Sequence, residues 1–165
     1  MAGLLPSAIF LGLAALGALF LTLRRSTTDG VAERLAASRV LAVALGIQTM
    51  HFVEEAVTGF PDRFGPLLGF AAMSYGFFVV FNAFWIAVWG ASVRAVRQAR
   101  PWAVFAAWFL AIAGTLNGIA HPALALLAGG YFPGLVTSPF VGAASVWLGV
   151  RLHRMTGPAR PPTRR

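Results

Sequence analysis

The sequence predicts an all-α fold, an integral membrane helical bundle with five transmembrane helices. Three observations carry that expectation. The chain is 58% hydrophobic, with a mean hydropathy of +0.75, and 11% of its 165 residues are charged, against about 25% in soluble domains. The charges are confined to short segments between apolar runs, most of them close to the ~20 residues that cross a bilayer. The arginines also alternate from one intervening segment to the next.

The first span covers residues 5–23. No basic segment precedes it and no small-residue cleavage site stands before Arg24 and Arg25, so it reads as an uncleaved span rather than a signal peptide. Residues 24–39, RRSTTDGVAERLAASR, are polar and read as a loop or short surface helix. The second span is 40–59. FPDRFGP reads as a turn broken by Pro61 and Pro66. Residues 64–93 carry no charge. Thirty helical residues would extend about 45 Å, beyond the roughly 30 Å hydrocarbon core. Residues 64–69 are therefore assigned to the interface and the third span to 70–93. The fourth span is 102–127. GGYFPGLVTSP breaks the chain, and the fifth span is 140–152. Residues 1–154 form one transmembrane domain, and the Arg/Pro-rich residues 155–165 are expected to be a disordered tail.

Orientation follows from the arginines. Residues 24–39 hold four, 94–100 hold three and 151–165 hold five, while 60–69 hold one and 128–139 none. The basic side faces the cytoplasm, so the N-terminus is expected outside and the C-terminus inside. The net charge of +8 comes from 13 basic residues, all arginine. Topology accounts for them, and nucleic-acid binding, which needs a solvated basic face, is not expected. Cysteine is absent, which excludes disulfides and thiolate metal sites. A chain rich in Ala, Gly, Pro and Arg and free of lysine is associated with GC-rich bacterial genomes, so the expected location is a bacterial plasma membrane.

Against this background the polar residues inside spans stand out. His51, Glu54 and Glu55 lie in the outer half of the second span. His51 and Glu55 are about 40° apart on a helix, with Glu54 about 60° to the other side, so with Gln48 they share one face. Asn117 and His121 occupy the outer half of the fourth span, also about 40° apart, flanked by Gly114 and Gly118. Such glycines let backbones approach, and the second span is the expected partner. Asn82 near the middle of the third span is expected to bond between helices. The stripe Phe77, Phe81, Trp85, Trp89 reads as lipid-facing or core. Tyr131 lies in the outer loop. Intramembrane ionisable residues are costly and mark functional sites by default.

Two histidines and two carboxylates suit a divalent metal such as Zn, Fe or Mn. The expected metal ligands are His51, Glu54, Glu55 and His121. One glutamate, Glu54 or Glu55, would act as general base, Asn117 as an orienting amide and Tyr131 as a further catalytic group. The same residues could do acid–base chemistry without metal.

HFVEE (51–55), NGIAH (117–121) and YFPG (131–134) resemble, in order, the HxxEE, NxxxH and YxPG signatures of the HXXEE family of small multi-span membrane proteins of unassigned function. The resemblance covers roughly residues 40–150. It implies that His51, Glu54, Glu55, Asn117, His121, Tyr131, Pro133 and Gly134 act as one site, and supplies no reaction. The expected function is a metal-dependent or acid–base enzyme, hydrolase-like, with an outer-leaflet site for a lipid or other apolar substrate. The rivals are a small transporter or proton- or metal-handling protein, and an accessory subunit whose polar cluster locks helix packing. Clustering at one depth, without a polar path to the inner face, favours the enzyme.

Overall fold

Proline and glycine set most of the helix ends. A computed structural model describes residues 5–27 and 30–158. Helix α1 is Leu5–Arg24, and strand β1, Arg25–Thr27, follows directly. Helix α2 is Val31–Thr58 and ends at Gly59, whose positive φ of 81° reverses the chain while its N–H bonds to the Glu55 carbonyl. Helix α3 is Phe60–Leu67, with Pro61 in its first turn. Helix α4 is Tyr75–Arg97, capped by Ser74, whose hydroxyl accepts from Phe77 N. Helix α5 is Pro101–Leu127 and helix α6 is Ser138–Met155, each with proline in its first turn. Strand β2, Thr156–Pro158, pairs antiparallel with β1.

The chain is thus all-α apart from this short ribbon. Four helical segments are long and apolar enough to cross a membrane: Ser7–Arg24, Val31–Thr58, Tyr75–Arg97 and Pro101–Leu127. The fifth expected span falls in α6, which is not among them; its 18 residues include Arg151, His153 and Arg154. Other boundaries also differ. The segment read as a loop before residue 40 is helical from Val31, so α2 is one 28-residue helix. FPDRFGP and Leu67 form α3 rather than a turn. Helix α4 begins at Tyr75, because residues 70–74 are held in irregular backbone by Phe70 N to Gly65 O and Met73 N to Pro61 O. Met155 closes α6 and residues 156–158 are a strand, where the sequence suggested a disordered tail; residues 159–165 lie outside the described residues.

Successive long helices alternate in direction. One end of the bundle gathers the ribbon, the start of α2, the α4–α5 turn and the end of α6. Arginines tie it together: Arg25 donates to Thr156 Oγ1 and to the His153 carbonyl, Arg97 to Ser38 Oγ, and Arg34 to the Arg97 carbonyl. Among the described arginines only Arg63 lies at the other end, where α3 and the loop of residues 128–137 sit. Helix α5 is central and packs on α1, α4 and α6. Small residues let it do so: Ala103, Ala106, Ala107 and Ala111 are all buried. A Cβ on Gly118 would stand 2.7 Å from Gly142 Cα of α6, and one on Gly114 would collide with Ser145. The glycine face of α5 therefore packs on α6, not on α2 as the sequence suggested. A second, aromatic cluster of Phe60, Phe64, Phe78 and Phe132 lies at the loop end.

Candidate metal centre

Helices α2 and α5 run in the same direction, so residues at matching depth face each other. His51 and Glu55, one turn apart on α2, meet His121 of α5. All three are buried, at 0%, 6% and 2% exposure. The two imidazoles meet edge to face, 4.7 Å between centroids. One donor atom from each residue lies within 4.8 Å of the others.

Hydrogen bonding fixes which atoms face the centre. The Thr137 hydroxyl donates to Glu54 Oε2 at 2.5 Å, a carboxylate oxygen that only accepts. Its single proton is then spent, so His51 Nδ1, 2.7 Å from the same hydroxyl, must be the donor. His121 Nδ1 lies 2.7 Å from the Pro133 carbonyl, which also only accepts. Both neutral rings therefore carry a lone pair on Nε2, and both Nε2 atoms face Glu55 Oε1, at 3.6 and 3.3 Å. Those separations exceed the 2.7–2.9 Å of a charge-assisted hydrogen bond. His51 Nε2 is buried with no hydrogen-bond partner among the described residues. Metal bonds of 2.0–2.1 Å in tetrahedral geometry place neighbouring ligand atoms about 3.3 Å apart. The three side chains thus fit a cation between them, and each histidine has the hydrogen-bonded Nδ1 that orients metal-binding imidazoles.

Glu54 lies outside this group. Its carboxylate accepts from Tyr131 Oη at 2.8 Å, Val136 N at 3.1 Å, Thr137 N at 2.9 Å and Thr137 Oγ1. Four donors fill the acceptor sites of a carboxylate. Glu54, expected beside Glu55 as ligand or base, is in this structure hydrogen-bonded to residues 131–137. Tyr131, 43% exposed as a residue, is part of that set of contacts, and loss of solvent around the phenol raises its pKa above the ordinary tyrosine value, with Glu54 adding to the effect.

The loop closes over the rings at Gly134. Its φ is +86°, and a Cβ there would stand 2.5 Å from the His121 ring and 2.8 Å from His51 Cε1. Only glycine lets backbone lie so close in that conformation. Three positions of Y-x-P-G thus contribute separately to the closure. The tyrosine hydroxyl holds Glu54, the proline carbonyl holds His121, and the glycine admits the loop.

Beside the triad lies a cavity of about 700 Å³ that Glu55 and His121 border, with Asn117, Gln48 and Asn82 on its wall. Asn117 thus shares the cavity with the triad, one turn before His121 on α5. Asn82 donates to the Phe78 carbonyl of its own helix rather than to another helix. The stripe Phe77, Phe81, Trp85, Trp89, read as lipid-facing or core, lines this cavity.

A family model, "Protein of unknown function with HXXEE motif", matches residues 41–148. The chain belongs to the HXXEE family. No curated protein and no solved structure matches it. The matched region runs from α2 through most of α6 and leaves out α1 and the ribbon. It contains every residue of the HXXEE triad and its anchor. Thr137, the link between Glu54 and His51, is the site residue that sequence reasoning missed. A lone hydroxyl outside any motif carries no spacing signal, and only its place just before the proline-started helix α6 marks it.

Proposed function

We propose that this HXXEE protein is a multi-pass membrane enzyme with a divalent-metal centre at His51, Glu55 and His121, acting as a hydrolase on a lipid or other apolar substrate. One observation carries the reading: two lone-pair nitrogens and a carboxylate oxygen converge in a buried site, unclosed by hydrogen bonds, at the wall of a cavity. Two histidines and one glutamate are a donor set of zinc hydrolases, whose sites keep one coordination position open for chemistry. A bound Zn, Fe or Mn ion would supply Lewis acidity. The chain supplies the rest. Pro133 and Thr137 hold the rings in register, Glu54 holds Thr137, and Asn117 presents an amide to a substrate carbonyl. The apolar wall excludes water.

The same reading makes α6 the fifth crossing. Its charges are confined to residues 151–154, leaving Ser138–Val150 uncharged, and its two ends lie at the two ends of the bundle. The arginine end is the cytoplasmic side, and the centre opens toward the outer leaflet of a bacterial plasma membrane. A transport path is disfavoured because the cavity ends on an aromatic floor, where Trp89 Nε1 donates to the Ala106 carbonyl.

Elemental analysis of protein purified in detergent tests the centre. About one divalent ion per chain is expected, absent from a folded His51→Ala/His121→Ala variant, together with metal-dependent release of product from a long-chain ester or amide. No metal in the wild type after supplementation with Zn, Fe and Mn would sink the proposal.

A further inference from the structure

The cavity wall distinguishes one class of amphiphile from another. Helix α1 packs on α5, and α4 packs on α2 and α5. The cavity fills the space between α1 and α4, with α5 as its back wall. Along α5 it runs from Leu127 past His121 to Phe109, eighteen residues or about 27 Å, and its longer arm, from His121 to Phe109, is about 18 Å, close to the depth of one leaflet of a ~30 Å hydrocarbon core. Its loop-side end is apolar, with Phe60, Phe64 and Leu124, and its middle carries three carboxamides, Asn117 one turn below His121, Gln48 about two turns below Glu55, and Asn82 opposite on α4. Its lower part is aromatic, with Trp85 and Phe109 rings 4.4 Å apart.

The charges matter as much as the shape. No arginine lines the cavity among the described residues. The one described arginine at this end, Arg63, donates to the Tyr131 carbonyl and lies over the Phe132 ring. Among the described lining residues no arginine or lysine side chain is present to pair with a phosphate, and the Glu55 carboxylate would repel one wherever a bound cation does not offset it. An unpaired anion in such a setting is costly. Carboxamides instead offer both donors and acceptors to uncharged esters, amides and hydroxyls.

We propose that the cavity binds an uncharged single-chain amphiphile, entering between α1 and α4, with its ester or amide group at the triad beside the carboxamides and its chain on the aromatic floor. This rests on the metal-centre reading for what happens to the bound group, but not for binding itself. Gly12 of α1 lines the cavity and has nothing within 4 Å of an added Cβ, so Gly12→Trp can fill the space from a peripheral helix.

The experiment is native mass spectrometry of delipidated, chelator-treated protein with a long-chain monoacylglycerol and a lysophosphatidic acid of the same chain, so that no bound cation attracts the phosphate, beside metal analysis of each sample before chelation. The wild type is expected to retain the monoacylglycerol at least tenfold better. Gly12→Trp is expected to lose that binding with its metal content unchanged. Asn82→Leu, which removes one carboxamide without filling the cavity, is expected to weaken it severalfold and covers the case in which Gly12→Trp fails to fold. Equal or preferential binding of the anionic lipid, or monoacylglycerol binding unaltered in a folded variant, would overturn the proposal. Monoacylglycerol binding by a wild type that held no metal before chelation would instead uphold the cavity assignment and remove the metal centre.

Discussion

Glu54 and Glu55 are neighbours in sequence and opposites in surroundings. Glu55 is 6% exposed, faces two histidine nitrogens without a good hydrogen bond to either, and borders the cavity. Glu54 is half-buried and takes four hydrogen bonds from the loop that covers the site. About 100° of helix rotation separates them, enough to turn one to the bundle interior and the other to residues 131–137. The difference teaches how a small membrane protein builds a centre from little polar material. One carboxylate is left short of partners, which leaves it able to hold a cation. The next is saturated, which makes it an anchor. Thr137 joins the two regions, accepting from His51 and donating to Glu54.

The comparison breaks most visibly at the paired substitutions. Glu55→Gln is expected to weaken metal binding more than 100-fold, because it removes a ligand. Glu54→Gln is expected to weaken it 10–100-fold, the range for groups that orient ligands. Titration of both apo-proteins with Zn in detergent checks this, and equal losses would show that the two carboxylates share one role. Next is Gly134→Ala. A left-handed conformation costs about 1–2 kcal/mol for a residue with a Cβ, and overpacking against the two rings about 1–3 kcal/mol. A loss of roughly 2–5 kcal/mol follows from these terms, seen as a lower thermal transition in detergent. Unchanged stability would mean that the loop does not press on the histidines. Thr137→Val keeps the shape and removes the relay. Its expected 10–100-fold drop in Zn affinity should match that of Glu54→Gln and add little to it in the double variant, since both break one chain.

Much of this architecture was legible beforehand, for identifiable reasons. Apolar runs fix the existence of α1, α2, α4 and α5, because each must satisfy its backbone internally in lipid. That His51, Glu55 and His121 stand at one end of the bundle follows from the alternation of helix direction, which a run of short connections imposes. Helix ends were less legible. VAERLAASR before residue 40 is polar yet continues α2, since a helix does not stop where apolarity does. Gly114 and Gly118 announced a close crossing but not its partner, and α6 brings Gly142 and Ser145 to meet them. The division between Glu54 and Glu55 was hidden because it depends on where residues 131–137 fold, a contact 82 positions away between Glu54 and Val136.

The smallest expected effect tests whether the anchor is graded. Tyr131, 43% exposed as a residue, donates one hydrogen bond to Glu54, so Tyr131→Phe is expected to cost about 1 kcal/mol or less. Three donors to Glu54 remain, and the Thr137 link is untouched, so Zn affinity should fall severalfold at most. The contribution has a pH signature. Loss of solvent around the phenol, and then Glu54, raise its pKa in the folded protein. A group with a raised folded pKa contributes its stability fully below the unfolded value, about 10 for tyrosine, and loses it as pH rises through the folded value. Thermal transitions of wild type and Tyr131→Phe should therefore differ slightly at pH 7–9 and converge above pH 10. A Tyr131→Phe variant that lost as much Zn affinity as Thr137→Val would show the loop acting as one rigid unit, and Glu54 would then owe its role to all its partners rather than to the path through Thr137.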